Sequence, residues 1–146
     1  MTPFDYEADA ARAMEAVLDG GIAIIPTTVG YVIIATTTDA IGKIIKVKQR
    51  GPAKLNAMIG NKSLHAALHM LDARSRRAVR MITEGYDLPM GTVGPADLSH
   101  PMLKSLEPEV LERTSKEGTI AMLLNAGPLL DAMAQLSFEA GRLVIG

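Results

Sequence analysis

The stretch Pro26-Thr27-Thr28-Val29-Gly30-Tyr31, followed by Ala40-Ile41-Gly42-Lys43-Ile44-Ile45-Lys46-Val47-Lys48-Gln49-Arg50 and then Lys54, decides how the chain is read. Residues 22–25 (Ile-Ala-Ile-Ile) form a short apolar run that Pro26 ends, and residues 31–37 form a second run rich in β-branched side chains. Both read as buried strands. Thr38 or Asp39 is placed to accept the free N–H groups of a following helix over residues 40–47, with Ile41, Ile44 and Ile45 turned to the core. That helix carries Lys48 and Arg50 to its C-terminal end. Two cations one residue apart, with Lys54 beyond, can clamp a polyphosphate: Arg offers planar bidentate contacts and Lys a mobile point charge. The competing reading is that Lys48 and Arg50 only complement the negative end of the helix dipole. Thr27 and Thr28 sit at a strand end, where ligands bind in α/β sheets, or are turn residues and nothing more.

The remaining segments fit an alternation of helices and strands with no repeat, low-complexity tract or linker. Residues 5–18 read as an amphipathic helix with Ala11, Met14, Val17 and Leu18 on one stripe, stopped by Gly20-Gly21. A strand is expected over 55–59, a helix over 63–71, and another capped by Asp72 and running to Ile82. Residues 84–101, interrupted by Gly and Pro, read as loop or irregular strand. A helix over 108–114, a strand over 119–124, a helix over 128–136 and a closing strand over 142–146 complete the pattern. The fold class expected is α/β, a single domain over residues 1–146 with a twisted mixed or parallel sheet flanked by helices.

Composition narrows the chemistry. With 146 residues the chain can bury one core unaided, and with no Cys it has neither disulfides nor thiolate chemistry. The acidic start lacks the order of a secretory signal and no apolar run is long enough to span a bilayer, so a cytoplasmic protein without a membrane partner is expected. Net charge is −1, yet residues 40–80 hold ten basic side chains against the single acid Asp72, a net of +9 that leaves −10 elsewhere. So polarised a chain can present a positive face to an anion.

In order and spacing, these motifs resemble those of the YrdC-like family of threonylcarbamoyl-adenylate synthases. There a strand ends in Pro-Thr-x-x-x-Tyr, and a short helix leads into Lys-x-Arg with Lys or Asn four residues on; Pro26, Thr27, Tyr31, Lys48, Arg50 and Lys54 fall in register. Gly118-Thr119-Ile120-Ala121-Met122, Gly127-Pro128 and Gly141 to Gly146 resemble later family segments, so the likeness runs from the first helix to the last strand. It implies a YrdC-like (DHBP synthase-like) architecture. Thr28 and Val29 depart from the family's acid and Thr, Val32 from its Gly, Leu55 from its Pro and Leu123 from its Arg. The family's Ser-x-Asn element would begin just past Gly146, which implies a chain truncated at its C-terminus or an ATP site that lacks a piece.

What the resemblance implies is condensation of L-threonine, bicarbonate and ATP, with Mg²⁺ on the phosphates, to threonylcarbamoyl-adenylate for tRNA modification. Lys48 and Arg50 would be the catalytic pair, orienting phosphate and carbamate oxygens, with Thr27, Thr28, Tyr31 and Lys54 binding substrate or nucleotide. A tRNA or double-stranded RNA partner is compatible with the +9 segment, although five aromatic residues offer little base stacking. The alternative is a non-catalytic YrdC-like nucleotide- or RNA-binding protein; a third reading is an unrelated interaction domain. Oligomeric state is not legible. His65 and His69, four apart on an expected helix, lack a carboxylate to complete a metal site, and His100 reads as a loop residue. Gly60-Asn61-Lys62-Ser63 lacks the upstream Gly and the Gly-Lys pair of a P-loop. Met81, Met90, Met122 and Met133 read as core filler.

Overall fold

Residues 3–146 are described in the computed structural model of the chain. Helix α1 (Tyr6–Leu18) starts where the Asp5 carboxylate accepts the Ala8 amide. It stops at Gly20, whose φ of 92° is natural only without a Cβ; the Gly20 and Gly21 amides fold back onto the Val17 and Ala16 carbonyls. Strands β1 (Ala23–Thr27) and β2 (Gly30–Ile34) form an antiparallel hairpin. They are less buried than their composition suggests: Ile25 and Ile34 are inside, whereas Ile24 is 63% and Tyr31 78% exposed. One face of the hairpin packs on helices and the other meets solvent, so alternation of faces overrides the continuous apolar run.

Helix α2 (Thr38–Val47) is capped by Thr37, whose Oγ1 accepts the Ala40 amide, and not by Thr38 or Asp39. Thr37 has the extended backbone an N-cap needs; Asp39 lies inside the first turn, where its charge suits the helix dipole. Strand β3 (Met58–Ile59) precedes α3 (Lys62–Leu68) and α4 (Ala73–Arg80), the latter capped by Asp72 as expected and continued by a π-helical turn, Met81–Gly85. Strand β4 (Met90–Pro95) falls in the stretch read as irregular. Its inward positions are Thr92 and Gly94, so it shows no apolar alternation; a Cβ on Gly94 would lie 2.7 Å from Leu71. Helix α5 (Pro101–Lys104) is capped by His100, which lies in the loop as expected and whose Nδ1 accepts the Met102 amide. Helix α6 (Pro108–Thr114), strands β5 (Ser115–Lys116) and β6 (Thr119–Leu124), and helix α7 (Pro128–Ala140) follow.

Strand β6 is the axis of the sheet, parallel to β3 and antiparallel to β4 and β5. Residues 143–146 then join the two halves. Ile145 bridges Ala35 on one side and Met58 on the other; Gly146 exchanges backbone hydrogen bonds with Ala57, and the Val144 carbonyl accepts the Ile59 amide. The order across the molecule is therefore β1, β2, residues 143–146, β3, β6, β4, a mixed sheet flanked by helices. Helix α1 lies along α7, and together they cover β1. That pairing buries Ala10, Met14 and Val17 and leaves Ala11 and Leu18 outside, which rotates the expected stripe. Met122 and Met133 are core residues, but Met81 is exposed.

Asn61 holds the entry of α3: its Oδ1 accepts the Leu64 amide, and its Nδ2 donates to Gln135 Oε1 on α7, both at 2.9 Å. Asn61→Ala is expected to lower stability by about 1–2 kcal/mol, the loss of a cap plus a tertiary hydrogen bond, measured as a shift in the urea midpoint at unchanged slope.

Candidate functional site

The end of α2 is built as a turn that presents cations. Lys48 is the C-cap, Gln49 takes a left-handed φ of 50°, and the amides of Gln49 and Arg50 return to the carbonyls of Lys46 and Ile45. This is a Schellman closure made without glycine, and it sets Lys48 before the reversal and Arg50 after it. Both side chains are half-buried and Lys54 is exposed. Burial first, then the charges of Arg50 and Lys54, hold the Lys48 ammonium below the usual lysine range. Among the described residues none of the three forms an ion pair. The structure thus brings Lys48, Arg50 and Lys54 into one electrostatic group.

Two further side chains belong to it. Arg50 Nη1 donates to Asn56 Oδ1 at 2.9 Å, and Arg113 Nη2 donates to the Arg50 carbonyl at 3.2 Å. Asn56 is 1% exposed, and its Nδ2 and the Arg113 Nε are buried donors without a protein acceptor among the described residues. Buried donors of this kind are costly unless something accepts from them. Arg113 joins the group from α6 across 63 residues of chain, a distance no local pattern reveals. Asn56 did carry a signal, as a polar side chain inside the apolar run from Leu55 to Ile59.

Thr27 and Thr28 belong to the turn of the β1-β2 hairpin. The Thr27 hydroxyl donates to the Gly30 carbonyl at 2.6 Å and accepts the Val29 amide at 3.2 Å, so it is engaged within the hairpin turn. The Thr28 amide donates to the Ala126 carbonyl at 3.0 Å, tying the turn to the entry of α7. Both residues line a cleft of about 680 Å³ with Tyr6, Ile24, Pro26, Gly127 and Leu129; Lys48, Arg50 and Lys54 do not line it. Tyr31 faces solvent opposite Pro26 in the hairpin.

A separate cavity of about 590 Å³ lies between α3, α4, the π-turn and α7. His65 and His69 face each other there, Nδ1 to Nδ1 at 2.8 Å. No group of three or more potential metal ligands occurs among the described residues, and none of their helices is long and apolar enough to cross a membrane.

No family model and no curated protein matches the chain. Solved structures do. A hypothetical protein from Streptococcus mutans UA159 aligns with a TM-score of 0.81 at 22% identity, over 92% of this chain and 54% of that one. E. coli YciO aligns at 0.70 and 17% identity, over 96% and 63% respectively. P. abyssi Sua5, solved in complex with L-threonine, aligns at 0.67 and 17% identity, over 95% of this chain and 38% of that one. The fold is therefore YrdC-like, and the chain spans between 38% and 63% of the length of these proteins.

Proposed function

We propose that the chain binds ATP through Lys48, Arg50 and Lys54 and uses it to form threonylcarbamoyl-adenylate. The observation that carries this reading is the cationic group at the end of α2, without an ion pair among the described residues, in which burial and then the charges of Arg50 and Lys54 hold Lys48 below the usual lysine range. A polyphosphate relieves that repulsion. Support also comes from the fold, shared with a protein crystallised with L-threonine. In the proposed reaction the threonine amine and bicarbonate give a carbamate with loss of water. A carbamate oxygen then attacks the α-phosphorus of ATP, the bond to the bridging oxygen breaks, and pyrophosphate leaves with its electron pair. Lys48 and Arg50 offset the negative charge spread over the phosphoryl oxygens, and Asn56 and Arg113 keep Arg50 in place. Mg²⁺ enters as the counter-ion of the nucleotide, and tRNA as the destination of the product.

Pyrophosphate release that requires ATP, L-threonine and bicarbonate together tests the reading, and release without threonine contradicts it. ATP affinity is also expected to fall at alkaline pH. Lys48 is cationic below its titration and neutral above it, and its titration is displaced downward, so the loss begins at a lower pH than an ordinary lysine would give. Lys48→Arg is expected to flatten that limb of the pH profile. A second reading, ATP binding without turnover, is favoured by two observations: Leu123 brings no charge to β6, and the Thr27 hydroxyl is engaged in its own turn. Intact ATP binding with no pyrophosphate release under any substrate combination selects it.

A further inference from the structure

The cavity between α3, α4, the π-turn and α7 plays no part in the proposed reaction, yet it has the features of a binding site. Its volume of about 590 Å³ lies in the range of small-molecule pockets. Its histidine pair also has a determined proton arrangement. The Ile120 carbonyl can only accept, so His69 Nε2, 3.2 Å away, is the donor. Neutral His69 then has a bare Nδ1, so His65 Nδ1 must donate to it. What remains is His65 Nε2, a bare acceptor with no protein partner among the described residues. It can take a proton without breaking either hydrogen bond, and doing so turns an acceptor into a cationic donor on the cavity wall.

The charges around it favour an anion. Arg76 and Arg80 line the cavity one turn apart on α4, and neither is ion-paired among the described residues. Lys62 and Glu84 neutralise each other at 2.8 Å. The remaining acid on the wall is Asp131, whose carboxyl is pushed up by burial and then by the charge of Asp87. The π-helical turn brings Thr83 and Glu84 to the wall; such turns are frequent at functional sites.

We propose that this cavity is a second ligand site, for a small organic phosphate held by the guanidinium groups of Arg76 and Arg80 and by His65 Nε2. Binding is coupled to a proton. His65 is held below the usual histidine range by burial, then by His69, then by Arg76. The groups facing it are His69 and Lys62 from α3, Arg76 and Arg80 from α4, Glu84 from the π-turn and Asp131 from α7. An anion against Arg76 cancels part of that repulsion, so binding draws a proton onto Nε2 and tightens as pH falls through the His65 titration.

Calorimetric titrations with glycerol 3-phosphate, inorganic phosphate and sulfate test the site, sulfate being chosen because its charge is constant near neutrality. Glycerol 3-phosphate is expected to bind the wild type more tightly than inorganic phosphate. Arg76→Ala with Arg80→Ala, both exposed positions whose replacement should leave the melting temperature unchanged, is expected to weaken it at least about tenfold, the loss of one or two charge-assisted hydrogen bonds. Lys48→Ala with Arg50→Ala should leave this binding intact, so failure here is distinct from failure at the ATP site. Sulfate affinity is expected to rise in the wild type as pH falls from about 7 to about 5, the lower part of the histidine range because His65 is held low, and to stay flat in His65→Gln. No binding of glycerol 3-phosphate to the wild type, equal affinity for inorganic phosphate, or binding that survives loss of both arginines would each overturn the proposal.

Discussion

Ile145→Asp is expected to leave the chain largely unfolded at 25 °C. Ile145 is fully buried and is the residue at which the hairpin and the β3-β6-β4 sheet meet, bridging Ala35 and Met58. Losing the buried Ile side chain costs about 2–5 kcal/mol and an unpaired carboxylate in its place about 3–5 kcal/mol more, a sum comparable with the roughly 5–15 kcal/mol that holds a domain together. Far-ultraviolet circular dichroism with urea titration measures it. Val93→Asp, on the solvent side of β4 where Val93 is 68% exposed, should move the midpoint little, because a surface change away from caps and pairs is worth about 0.5 kcal/mol or less. A native-like midpoint for Ile145→Asp would mean that residues 143–146 do not tie the two halves together.

The second large effect is expected at the cationic group. Replacing Lys48 and Arg50 together by alanine removes two charge-assisted contacts to phosphate, each worth about 1.5–3 kcal/mol, so ATP affinity should drop about a hundredfold or more. Part of the loss would be indirect, since Asn56 Oδ1 loses its Arg50 partner inside the protein. Asn56→Leu separates the two contributions: it keeps both cations but releases Arg50, and it should weaken binding by less than the double replacement. Equal ATP affinity in the wild type and in Lys48→Ala with Arg50→Ala would remove the cations from the site.

The elements most legible in the sequence were those whose local chemistry and burial agree. Helix α6 begins at Pro108 and strand β6 occupies residues 119–124, as their composition indicates, because Pro at a helix start and an apolar strand at the sheet centre leave few alternatives. Strand β4 was hidden because its inward residues are Thr92 and Gly94, selected by close packing against Leu71 and His69 and not by hydrophobicity. The burial of β1 and β2 was overestimated at Ile24 and Tyr31 for the converse reason: apolar side chains stand on an uncovered face. In the candidate cationic group, the succession of Lys48, Arg50 and Lys54 was visible in their spacing, whereas Arg113 arrives only through tertiary folding. The histidine spacing on α3 was visible as well, but the contact between the two Nδ1 atoms depends on the rotamers that the cavity allows.

A crystal structure of the chain with Mg²⁺ and a non-hydrolysable ATP analogue is the most direct measurement. The expected result is phosphate oxygens within about 3 Å of Lys48 Nζ and of the Arg50 guanidinium, the distance of charge-assisted hydrogen bonds. A nucleotide bound with its phosphates away from both side chains would contradict the reading of this fold as an ATP-using one.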